Sequence, residues 1–255
     1  MLNFSLAVIY IEHSPEKFPN AFQILQSYLE KIKFWRITYF KVNNKDTGDS
    51  YRKINDKTYY LQGDNSEREF SGWQKGIDFL ETMNLNFNVI LFVNEAFENP
   101  GTSFLIDYAS FITVFKSYIL NAAIGRIDSH GKETEVLGYF TKSWICSNCF
   151  FISGKLLKSL KTFVTINNEN MNDFFEKEFI DSNSTFKETA PINKEYKEHI
   201  IQWLTIDWYG HFSIDPDHWN LFREKTKAIL NEALLSARLR ELNAPVLSYG
   251  QKKYY

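Results

Sequence analysis

The chain predicts an α/β fold: a mainly parallel sheet covered by helices, followed by a helical carboxy-terminal extension. Three observations carry that reading. Residues 4–11 (F-S-L-A-V-I-Y-I) and 88–93 (N-V-I-L-F-V) are short unbroken apolar runs, as expected of strands buried on both faces. Strand-like and helix-like segments alternate through the first 165 residues, the pattern of a helix-covered parallel sheet. Beyond residue 165 helical periodicity dominates. The expected division is therefore 1–165 as the main domain and 166–255 as an extension packed on it.

The first strand, residues 4–11, stops at Glu12-His13-Ser14-Pro15, where Ser14 reads as a helix cap with Pro15 at the first helical position. Phe18, Phe22, Leu25, Leu29 and Ile32 recur at helical spacing and carry that helix to about residue 33. Residues 35–42 alternate as a second strand, 43–56 form a polar loop of turn-forming residues, and 58–61 make a short third strand. Residues 70–83 read as a helix and 88–93 as a central strand. A buried, aromatic helix is expected over 104–120. Strands follow at 122–127, 136–140 and 148–152, then a helix from Ser153 to about residue 163. After a polar loop at 167–172, helices are expected at 173–180, 196–208 and 218–242, with an irregular link at 181–193.

With 255 residues and 44% hydrophobic residues, one substantial core is expected. The formal net charge of -2 provides no excess of positive charge for holding a polyanion, so nucleic acid is not an expected partner. The only two cysteines, Cys146 and Cys149, stand in a C-x-x-C without a second pair, which reads as reduced packing thiols and suits a cytoplasmic protein. The amino-terminal apolar run has no basic flank and is too short for a signal peptide or a membrane span. Any membrane contact is expected to be peripheral, and the tyrosines, Lys252 and Lys253 of residues 248–255 read as a frayed end or a lipid head-group contact.

The segment G-D-N-S-E-R-E-F-S-G-W-Q-K-G-I-D at 63–78 reads as a glycine-bearing loop opening a helix. The strand at 88–93 ends on Asn94-Glu95. Strand ends and helix amino termini converge at one edge of an open α/β sheet, where unpaired N–H groups favour an anion such as a diphosphate. Together these segments resemble the nucleotide-sugar half of GT-A glycosyltransferases, and more narrowly polysaccharide-cluster proteins related to the rhamnan-synthesis F family. Arg68, Phe70, Gly72, Trp73 and Gly76 match that family's R-x-Y-D-F-G-x-W-K-x-G segment, and Asn94-Glu95 stand where it has Asn-Asp. Residues 147–157 are similar to its acceptor-side strand and helix, and 227–239 to its carboxy-terminal helix.

The resemblance implies a GT-A-like, Rossmann-like domain over 1–165. It also implies an enzyme that moves a sugar from a nucleoside-diphosphate sugar to a bacterial surface polysaccharide or lipid-linked glycan, at the inner face of the membrane. In that setting Arg68 and Lys75 would hold the diphosphate, with Asp64, Ser71 and Trp73 beside them. Tyr10 and Glu12 would meet the nucleoside, Asn94 the sugar, and Ser147, Asn148 and Phe150 the acceptor. Inversion at the sugar carbon needs a general base, for which Asp128 and Asp107 are the carboxylate candidates, while Glu95, beside Asn94 at the sugar or ion, is the other expected catalytic residue. Trp73 reads equally as core, and the D-S-H-G of Asp128 as an ordinary turn. Charge on the departing diphosphate is stabilised either by a divalent cation, Mg or Mn, or by cationic side chains and helix N–H groups. A DxD-type site would need acids at Asn94 and Ala96, leaving Glu95 as the one candidate metal ligand. The reading from another class is a non-catalytic glycan- or nucleotide-binding subunit on a degenerate version of the fold.

Overall fold

The computed structural model describes residues 4–31, 35–98, 118, 120–181, 185–207 and 213–248. Its centre is an eight-stranded sheet, in the spatial order β10-β6-β9-β5-β1-β2-β4-β3. In chain order the strands are β1 (Phe4–Glu12), β2 (Trp35–Thr47), β3 (Tyr51–Asn55), β4 (Thr58–Gly63), β5 (Val89–Asn94), β6 (Ala123–Asp128), β9 (Trp144–Ser153) and β10 (Val246–Ser248); β7 (Thr134–Val136) and β8 (Tyr139–Thr141) form a separate hairpin. The helices are α1 (Ala21–Leu29), α2 (Glu69–Thr82), α3 (Gly154–Leu160), α4 (Met171–Phe174), α5 (Lys194–Gln202) and α6 (Trp219–Glu241).

β1 lies at the heart of the parallel half: Val8 pairs with Tyr39 of β2 on one side and with Leu91 of β5 on the other. Eight of its nine residues are buried, as the unbroken apolar run requires. β9 runs antiparallel to both β5 and β6, and β10 returns parallel to β6. Alternate residues feed two cores. Leu6, Val8, Val93 and Phe151 pack with Ala21, Leu25 and Leu29 of α1 on one face. Ile9, Phe92 and Phe150 pack with Trp73 of α2, Leu156 of α3 and Leu235 of α6 on the other. A third apolar cluster joins α4, α5 and α6 through Phe174, Tyr196 and Phe222.

Several boundaries differ from expectation for local reasons. α1 begins at Ala21, past the expected Ser14 cap, because Pro19 has no N–H and restricts Phe18, while the Ser14 N–H is bonded to Glu95. The expected polar loop at 43–56 is mostly strand: β2 runs on to Thr47, and β3 is an edge strand whose five residues are all exposed, so no apolar alternation marked it. The expected strand at 136–140 is a hairpin, turned at Leu137 and Gly138, which both have positive φ (52° and 77°). The helix expected at 196–208 is α5, continued by a π-helical turn at Trp203–Asp207. The short helix expected at 173–180 is a single turn, α4. Most of the helix expected at 104–120 lies outside the described residues, as do Asp107 and 249–255. β10 brings the carboxy-terminal extension into the main sheet. No helix among the described residues is long and apolar enough to cross a membrane.

Candidate functional site

From β1 the chain steps outward to β2 and β4, then crosses through α2 to β5 on the opposite side of β1. The carboxyl ends of β1 and β5 therefore flank a topological switch point, the position at which open α/β sheets bind ligands. Glu95, directly after β5, spans it: its Oε2 accepts from the His13 N–H at 3.0 Å and its Oε1 from that of Ser14. Burial raises the Glu95 carboxyl above its ordinary range, the two N–H bonds oppose that shift, and the acids Glu12 and Glu16 add to it. Asn94 turns back on its own chain, its Oδ1 accepting from Ala96 N–H at 3.1 Å.

The loop before α2 reaches the same edge. Asp64 Oδ1 accepts from Ser66 N–H at 2.7 Å. The Ser71 hydroxyl accepts from Glu67 N–H at 3.1 Å and lies 2.6 Å from the Asp64 carbonyl, stapling the loop to the first turn of the helix. Asn44 donates to the Arg68 carbonyl at 2.9 Å. Arg68 itself adopts φ 56° and ψ −132°, a region that costs a non-glycine residue about 1–3 kcal/mol and clusters at ligand sites. Gly72 lets α2 approach closely, since a Cβ there would stand 2.5 Å from Asn44 Oδ1 and 2.9 Å from Ile11 Cδ1. The Arg68 guanidinium lies 3.9 Å from Glu69 and is partly exposed. It also lies close enough to His13 to depress that imidazole, after burial the largest cause of its lowered pKa. Glu95 and Arg68 thus both neighbour the turn after β1, Glu95 through hydrogen bonds to His13 and Ser14 and Arg68 through its charge near the His13 ring.

β9 and α6 close on the first turn of α2 from the other side. The Ser147 hydroxyl donates to Glu69 Oε1 at 2.8 Å, and the Ser147 N–H donates to Glu232 Oε1 on α6. Burial pushes the Glu232 carboxyl up to about 7; the bonds from Ser147 oppose this, and the neighbouring acids Glu69 and Asp128 reinforce it. Lys225, two helical turns before Glu232, is pushed down to about 8 by burial and by Arg68 beside it, with Glu69 acting against. Arg126 donates to Cys146 Sγ at 3.3 Å and pairs with Asp128 at 3.5 Å. The Asn148 Oδ1 is buried with no hydrogen-bond partner among the described residues.

The expected residues are distributed as follows. Arg68, Asp64, Ser71, Asn94, Glu95 and Ser147 stand along the carboxyl edge of the sheet or on the wall above it. Asp128 lies at the carboxyl end of β6 and opens a turn, accepting from Ser129 N–H at 2.9 Å. Glu12 ends β1 and is paired with Lys41 at 2.7 Å. Four side chains go elsewhere. Trp73 and Phe150 are fully buried and meet edge to face in the core at 5.3 Å. Tyr10 is 1% exposed and packs on Phe22. Lys75, on the second turn of α2, is bound to the Gly48 carbonyl and Asp49 in the β2–β3 loop, away from the helix amino terminus.

Glu69, Lys225 and Glu232 were not expected in the site. The signal for the last two was two charges seven residues apart on one face of a helix otherwise read for its apolar positions. Among the described residues no group of three or more His, Cys, Asp and Glu is arranged to hold a metal ion. No protein-family model matches the chain, and no curated protein matches it.

Proposed function

We propose that the chain is a glycosyltransferase that moves a sugar from a nucleoside-diphosphate donor to a hydroxyl of a glycan or lipid-linked acceptor, on a GT-A-like domain. The observation that carries this reading is the convergence, at the switch point, of the Arg68 helix entrance with the Ser147–Glu232 wall. One side offers positive charge for a departing diphosphate. The other offers a carboxyl poised near neutral pH.

In this reading the donor diphosphate lies against the Arg68 guanidinium, with Lys225 adding positive charge. The Glu232 carboxylate accepts the proton of the acceptor hydroxyl as its oxygen attacks the anomeric carbon. The bond from that carbon to the diphosphate oxygen breaks, and configuration inverts. A base tuned to about 7 is half ionised near neutral pH, which suits proton transfer. Asn148 and Ser147 border the acceptor. A divalent ion at Asn94-Glu95 would have to share oxygens that already accept backbone N–H groups. No step is assigned to a metal.

The same commitment of Glu95 favours a second reading, a binding subunit that has the fold without the chemistry. Calorimetry with nucleoside diphosphates, with and without manganese, followed by donor-hydrolysis assays on any that bind, separates the two. Binding followed by hydrolysis supports the transferase. Binding with no turnover in the presence of glycan acceptors supports the subunit, and no nucleotide binding at all removes the transferase and leaves only a glycan-binding subunit.

A further inference from the structure

A cavity of about 360 Å³ opens between α4, the segment after it and the first turns of α6. Its polar lining is Asn168, Asn172, Lys177, Asn220, Arg223 and Glu224. Its size falls within the roughly 300–1,000 Å³ of small-molecule sites. Donors dominate the wall. Arg223 gives its Nη1 to the Lys177 carbonyl at 3.2 Å and its Nη2 to Asn172 Oδ1 at 3.4 Å, while its Nε–H is buried with no acceptor among the described residues.

The one acid on the wall is already neutralised. Lys227, fully buried beneath the cavity, reaches Glu224 at 2.9 Å and also donates to Asn168 Oδ1 and to the Ser66 carbonyl. With their oxygens engaged by Lys227 and Arg223, Asn168 and Asn172 have their amide N–H groups left to offer. Lys177 and Arg223 have no carboxylate at ion-pair distance among the described residues, so the cavity presents cations and donors to a ligand that must bring acceptors.

We propose that this cavity is a binding site for a monosaccharide bearing an oxyanion, with a sugar carboxylate held on the Arg223 guanidinium and Lys177, and hydroxyls on the asparagine amides. Guanidinium and carboxylate match as a two-point pair, and the amides suit a polyhydroxylated ring. The cavity shares no lining residue with the switch-point site, to which it is joined through Lys227 and the Ser66 carbonyl, and it does not depend on the transferase reading.

Titration of the full chain with D-glucuronate, D-glucose and inorganic phosphate, followed by ligand-observed NMR and calorimetry, tests it. Saturable glucuronate binding is expected, with glucose and phosphate each weaker by about tenfold or more. Arg223→Gln should weaken glucuronate by about tenfold, and Lys177→Glu, at an exposed position that cannot disturb packing, should weaken it similarly. Arg68→Ala should leave it unchanged. Absence of saturable glucuronate binding, equal affinity for glucose or phosphate, or full affinity in Lys177→Glu overturns the proposal.

Discussion

Ser147 donates its hydroxyl to Glu69 across 2.8 Å, tying an antiparallel strand to the first turn of the helix that carries Arg68. Its N–H simultaneously holds Glu232. One residue therefore holds two neighbouring carboxyls, and burial lifts Glu232 to about 7.

Glu232→Gln retains an oxygen to accept the Ser147 N–H and should leave the fold intact. If the side chain is the base, turnover should fall by about 10²–10⁴-fold. Wild-type kcat/KM should rise with pH through about 7, since only the carboxylate accepts a proton, and the variant should lose that limb. Rate–pH profiles of both proteins check this; an unaltered profile in the variant would remove Glu232 from the chemistry.

The same carboxyl makes a stability prediction. Its folded pKa is raised above the ordinary value of 4.5, so between about 4.5 and 7 the folded state binds more protons than the unfolded state. Its contribution to stability must then fall as pH rises through that window. Urea midpoints of wild type and Glu232→Gln at pH 5 and pH 8 should show the variant gaining relative to wild type at the higher pH.

Glu95→Gln tests a structural role. The carboxylate accepts two backbone N–H groups through separate oxygens, and an amide can accept through one only. Leaving a partly buried N–H unpaired should lower stability by about 1–3 kcal/mol in chemical denaturation. A change in activity without a change in stability would instead return Glu95 to the reaction.

Cys146 and Cys149 are buried, and burial pushes the Cys146 thiol up to about 12 and that of Cys149 well above its usual value. Thiolate is the reactive form. Neither cysteine should react with a thiol reagent at pH 8 until denaturant is added, which a colorimetric thiol assay reads directly.

The parallel half was legible in the sequence because its strands are buried on both faces and leave continuous apolar runs: β1 and β5 lie where the runs at 4–11 and 88–93 predict them, and α3 starts at the Ser153 cap. The polar edge strand β3 and the three-residue β10 carry no such pattern, and pairing that depends on distant partners decides them. In the site, the loop and helix at 63–78 were recognisable from glycine and charge. Yet the motif alone could not tell Trp73, which fills the core, from Arg68, which borders the crevice. Lys75 looked like a phosphate ligand beside Arg68, but it lies on the second turn of α2 and is held by the Gly48 carbonyl and Asp49. Glu232 escaped notice because its role arises from a bond to a strand 85 residues away.

The central claim, that the Arg68 side of the crevice holds a diphosphate, is tested most directly by calorimetric titration of wild type, Arg68→Ala and Lys75→Ala with a panel of nucleoside diphosphates. At least one nucleotide should bind wild type saturably, Arg68→Ala should weaken it by about 1.5–3 kcal/mol, and Lys75→Ala should bind as wild type does. Undiminished affinity in Arg68→Ala, or binding of none of the nucleotides to wild type, would contradict the account.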